Sequence, residues 1–123
     1  MTELEINGNM YYLIYNAAAM FAINAEEGMF EKIGDTGAEG FDAACHIAAI
    51  MAQQGELVRR YEGYDKGRIP DADLFRLTAT PKEALEIKKA IIMAVQRGIG
   101  QEVESDKDVD LGLERLAAKN KKK

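Results

Sequence analysis

Polar and apolar residues alternate at the start of the chain. Leu4 and Ile6 are separated by acidic or polar neighbours, and Asn7-Gly8 follows. That dipeptide supplies the two positive φ angles of a type I′ turn, so the pattern predicts a β-hairpin. Met10 to Tyr15 is the return strand, a β-favouring run with three tyrosines. The period then changes. Asn16 is placed to cap a helix from Ala17 to about Glu27, stopped by Gly28. Its Ala-Ala-Ala-Met-Phe-Ala-Ile composition predicts a largely buried helix. Residues 29–40 are less regular. Met29, Phe30 and Ile33 suggest one short turn, and Gly34, Gly37 and Gly40 suggest a flexible connector.

A cleaner helical stripe follows. Phe41, Ala44, Cys45, Ala48, Met51 and Ala52 fall on one face, with Asp42, His46 and Gln53 toward the other. Gly55 reads as the residue that ends this helix. A further piece, Glu56 to about Tyr64, would place Leu57, Tyr61 and Tyr64 on one face. Gly67 to Pro70 breaks the chain, and Asp71 to Leu77 reads as a short helix with Leu74, Phe75 and Leu77 pointing inward. Thr80-Pro81-Lys82-Glu83 is the strongest local signal: an N-cap, a proline at the first helical position and a capping-box glutamate. The helix it opens runs to about Arg97 and stops at Gly98 and Gly100.

That last helix is apolar on more than one face, which means that it is buried or used twice. Ile87, Ile91, Ala94 and Val95 suit its own core. Leu85, Ile92 and Ile99 are then left as candidate partner-binding residues. After Val103 the composition becomes acidic and polar, Leu111 to Ala118 suggests two helical turns, and Lys119 to Lys123 is a basic end. The expected architecture is mostly α (α+β). It is a small helical domain with an N-terminal β-hairpin over residues 1–103, followed by a charged, partly helical tail over 104–123.

Composition narrows the chemistry. With 123 residues the chain suits one domain. A lone cysteine, Cys45, rules out an internal disulfide framework, and a lone histidine, His46, rules out multi-histidine metal sites. The net charge of −5 argues against nucleic acid as a partner. Residues 1–58 hold nine acids and one base, whereas 59–123 hold 15 bases and 12 acids. This asymmetry fits either two solvated faces or head-to-tail self-association. The opening is acidic where a secretory leader is basic, and the apolar stretch Met10 to Ile23, 14 residues, is shorter than the roughly 20 of a membrane span. A cytoplasmic location without membrane contact is expected.

No constellation of catalytic residues stands out. Cys45 and His46 are adjacent, so on a helix they point about 100° apart and cannot form a thiol–base dyad. Cys45 reads as a small core residue, and His46 as a surface partner of Asp42 four residues before it. The three glycines of 34–40 lack the Lys-Ser or Lys-Thr of a phosphate loop. Asp106, Asp108 and Asp110 faintly resemble a calcium loop, but the loop glycine and its final glutamate are missing. No cofactor or metal is expected. Arg59, Arg60, Arg68 and Arg76 with Tyr61 and Tyr64 would suit a nucleic-acid surface, but the candidate recognition helix 81–97 carries Ile and Ala rather than polar base readers.

The order of elements resembles the tail assembly chaperones of long-tailed bacteriophages and prophages, especially those of Gram-positive hosts. The likeness covers roughly residues 3–103. It lies in the opening Glu5-Ile6-Asn7-Gly8-Asn9-Met10-Tyr11-Tyr12-Leu13 feeding an apolar helix, the Ala-rich helix 41–54 followed by Glu56 to Tyr64, the short segment before Thr80-Pro81 with its long helix, and the charged end. The resemblance implies a non-enzymatic protein of the host cytoplasm, absent from the mature virion. Its implied partners are the tape-measure protein and tail-tube subunits. It further implies a longer product made by ribosomal frameshifting near the Lys119–Lys123 end. Six methionines and many alanines on helices supply the shallow, adjustable apolar contact such a role needs. The competing reading, from a different class, is a small helical DNA-binding transcriptional regulator.

Overall fold

The computed structural model describes residues 1–100, and the expectations for the charged tail lie outside the described residues. Strands β1 (Thr2–Ile6) and β2 (Asn9–Leu13) form an antiparallel hairpin in the register Leu4 opposite Tyr11. Asn7 and Gly8 have φ of 52° and 77°, the two positive values the turn requires. Five helices follow among the described residues: α1 (Ala17–Asn24), α2 (Met29–Lys32), α3 (Ala38–Tyr61), α4 (Ala72–Thr78) and α5 (Pro81–Gly98). The fold is the expected small α+β domain, mostly helical with an N-terminal hairpin.

Helix α3 is the axis of the molecule. It touches β2, α1, α2, α4 and α5, and Ala44, Cys45, Ile47, Ala48 and Met51 on it are fully buried. The hairpin lays Leu4, Ile6, Tyr11 and Leu13 into the same core, where α5 adds Ile87 and Ile91. Tyr11 meets the buried Phe75 of α4 edge to face, ring centroids 5.0 Å apart. The capping box at Thr80 is formed as expected, and it has a second use. Glu83 accepts from Thr80 N–H with one oxygen and from Asn7 N–H with the other, both at 3.0 Å. The start of α5 is thereby tied to the hairpin turn.

Four expectations are corrected. Gly55 does not end a helix: α3 runs through it to Tyr61. A Cβ there would stand 1.8 Å from the Tyr12 carbonyl oxygen, so glycine is required for β2 to lie against α3. Gly40 likewise belongs to α3, pressed against Asp35 O, so the connector is confined to residues 33–37, after the short helical turn expected at Met29 and Phe30. Leu77 is exposed, because α4 turns only Phe75 fully into the core. Helix α1 stops at Asn24, and only Ala19 and Ile23 on it are buried.

Candidate protein-interaction face

The polar clusters of the surface are bound up in holding the fold. Asp42 on α3 accepts from Arg76 of α4, which also pairs with Asp73 and comes 3.5 Å from His46 Nε2. His46 lies 3.8 Å from Asp42, the helix pair its spacing predicts. Beneath them Cys45 is fully buried, and burial pushes its thiol up to about 11, against the opposing charge of Arg76. A thiol held protonated and shielded is no nucleophile. At the other end of α3, the buried Glu56 accepts from Arg60 Nε at 2.8 Å and from Gly67 N–H at 2.6 Å. Burial pushes its carboxyl up. The bonds from Arg60 and Gly67 and the charges of Arg60 and Arg59 outweigh that and leave it below the usual carboxylate range. This clasp folds the Gly67 loop back onto α3.

The same clasps employ most of the basic residues that suggested a nucleic-acid surface. Arg59 lies 4.7 Å over the Tyr12 ring and 5.1 Å over that of Tyr64, and pairs with Glu56. Arg60 holds Glu56 and Gly67 O, and Arg76 holds Asp42 and Asp73. Among the described residues no group of three or more metal-ligating side chains converges, and no helix is long and apolar enough to cross a membrane.

The apolar surface is distributed differently from expectation. Leu85 and Ile99 are 50% and 59% exposed, but Ile92 between them is 4% exposed and belongs to the core. The three share a stripe, since seven residues are close to two turns. Middle and ends differ because α5 is covered on two sides, by β1 and by α3. Lys88, one turn before Ile92, reaches Asp35 O at 2.6 Å and so pins α5 under the loop that leads into α3. Ile92 is thereby withdrawn from any partner face. Leu85 and Ile99 stay outside, about 21 Å apart along the helix.

The surplus apolar face lies on α1 instead. Ala18, Phe21, Ala22 and Ala25 follow the i, i+3, i+4, i+7 spacing of one helix side, all four are exposed, and Phe21 is 69% exposed. Local sequence builds the helix: the Asn16 side chain accepts from Ala19 N–H at 2.9 Å and donates to Gln54 of α3 at 3.3 Å. Ala19 and Ile23 fill the α3 side, and nothing among the described residues covers the other. On α3, Leu57 and Tyr61 follow Gln54 and are exposed beyond the N-terminal end of α1. Sequence reasoning missed this face by equating an apolar composition with burial. The usable signal was the helix's shortness and its apolar circumference together.

Comparison with protein-family models, with curated proteins and with solved structures finds no match to this chain.

Proposed function

We propose that the chain is a non-enzymatic tail assembly chaperone of a long-tailed bacteriophage or prophage, acting in the host cytoplasm on the tape-measure protein and on tail-tube subunits. The observation that carries the reading is the outward face of α1, one large exposed anchor at Phe21 among Ala18, Ala22 and Ala25. A tape-measure protein offers long apolar helical stripes. Alanines let a partner helix approach closely at little cost in side-chain entropy, and a single aromatic anchor fixes its register. A patch this small holds a client without trapping it. Burial shields Cys45 and pushes its thiol up to about 11, which agrees with a role that does not use it as a nucleophile.

The test is co-expression with a tape-measure protein and a tail-tube protein of the same phage. The wild-type chain is expected to keep the tape-measure protein soluble and to co-purify with it. Phe21→Lys should lose both effects with an unchanged far-UV spectrum and a stability within about 0.5 kcal/mol of wild type, since Phe21 makes little core contact. Retention of client by that variant would remove α1 from the proposal. A salt-sensitive shift of DNA, with no tail protein bound, would replace the chaperone by the regulator. The same face also permits two copies to pair in the absence of client, an association Phe21→Lys should abolish.

A further inference from the structure

The two edges of the hairpin are treated differently. Ile6 and Asn9 flank a two-residue turn, which makes them a hydrogen-bonded pair, as are Leu4 with Tyr11 and Thr2 with Leu13. Backbone groups of the intervening residues therefore point away from the partner strand. Toward the end of β2 the outward side lies against α3: the Tyr12 carbonyl lies on Gly55, and Ile14 N–H beyond the strand donates to Met51 O at 3.3 Å. Just past β1, the N–H of the turn residue Asn7 is held by Glu83. The outward N–H and C=O groups of Glu3 and Glu5 instead open onto a groove between β1 and α5. The groove has a volume of about 650 Å³; Leu4, Ala90 and Met93 supply its apolar lining, and the charged residues along its α5 side, Lys82, Glu83, Glu86 and Lys89, balance one another, which leaves Glu3 and Glu5 as its net charge. An open strand edge beside an apolar floor is the geometry of strand addition.

The side chains on that edge select the occupant. Glu3 and Glu5 both project from the outer face of the hairpin and are exposed, and among the described residues neither forms an ion pair. A second copy pairing antiparallel through β1 about Leu4 would set Glu3 opposite Glu5 of its mate, a like-charge contact that opposes pairing. A strand with basic residues on its outer face would meet the same two carboxylates favourably. Its alternate residues would face the groove floor and Met93, and apolar side chains suit them. From this we infer that the β1 edge captures an extended segment of another protein in which Lys or Arg alternates with apolar residues. This site is separate from the α1 face and does not rest on the tail-assembly reading.

The probe is a fluorescein-labelled peptide of alternating Lys and Val, compared by anisotropy with one of alternating Glu and Val. The Lys-Val peptide should bind about tenfold or more tightly than the Glu-Val peptide, and amide exchange at Glu3 and Glu5 should slow on binding. Glu5→Pro removes an outward donor while sparing the β1–β2 ladder, so it should abolish binding with the native spectrum retained. The double variant Glu3→Lys, Glu5→Lys should invert the peptide preference, which mere loss of structure would not do. Equal binding of both peptides, or unchanged exchange at Glu3 and Glu5, overturns the inference. Protection of those amides in the free monomer would mean that the chain's own residues fill the edge. A dimer lost in Glu5→Pro but kept in Phe21→Lys would mean that a second copy does. Either result overturns it as well.

Discussion

Gly55 lies where β2 crosses α3, and its missing side chain sets how close the two come. In an open helix interior Ala is better than Gly by about 1 kcal/mol. Here the added Cβ would meet the Tyr12 carbonyl at 1.8 Å, so strand and helix must part. Gly55→Ala is expected to destabilise by about 1–3 kcal/mol, read as a lower urea midpoint at an unchanged slope. Its neighbour Glu56 gives a pH signature. Its folded carboxyl titrates below the ordinary 4.5, so the clasp contributes fully above that value. The contribution is lost as pH falls from 4.5 through the lowered folded value, because there the unfolded chain binds the proton more readily. Glu56→Gln should be about 1–3 kcal/mol less stable at neutral pH, with a shallower loss of stability across that acid range. Denaturant titrations at several pH values separate the two curves. Neither role was legible locally. A glycine after an apolar stripe has the form of a helix stop, and only the arrival of a strand from the N-terminal hairpin, distant in sequence, makes it a contact point.

At the scale of elements, α5 and α1 exchange the roles that their compositions suggest. Helix α5 has the broader apolar arc, but β1 and α3 cover it on two sides and Ile92 is buried. Ile92→Ala should cost about 2–4 kcal/mol, and Ile92→Lys should fail to fold. Leu85→Lys and Ile99→Lys should melt within about 0.5 kcal/mol of the wild type. A folded Ile92→Lys with native melting would return that residue to the surface. Helix α1 is small and apolar on all sides, yet α3 covers one side and Phe21 faces out. The elements that local signals specify came out as expected: the Asn7-Gly8 turn, the Asn16 cap and the Thr80–Glu83 capping box all form. Each depends on residues within a few positions of one another, which is why the sequence shows them directly.

Over the whole molecule, one helix carries the packing and two side chains, Glu83 and Arg97, join α5 to the N-terminal hairpin, Arg97 donating to Thr2 Oγ1 at 3.2 Å. Helix α3 gathers the other elements, and Glu83 ties α5 to the turn near the N-terminus. That arrangement leaves two surfaces without a covering element among the described residues, the outer side of α1 and the edge of β1. The sequence by itself determined the class of the fold, the hairpin, the capped helices, the inert character of Cys45 and the lack of a recognisable catalytic motif. These follow from period, turn chemistry and residue inventory, all of which act locally or by count. The tertiary structure alone decided that α3 continues through Gly55, that Ile92 is core while Phe21 is exposed, and that Arg59, Arg60 and Arg76 are internal fasteners. Each of these depends on which element covers which face. Burial is a property of pairs of elements, and an apolar stripe states a preference for contact without naming the surface that meets it.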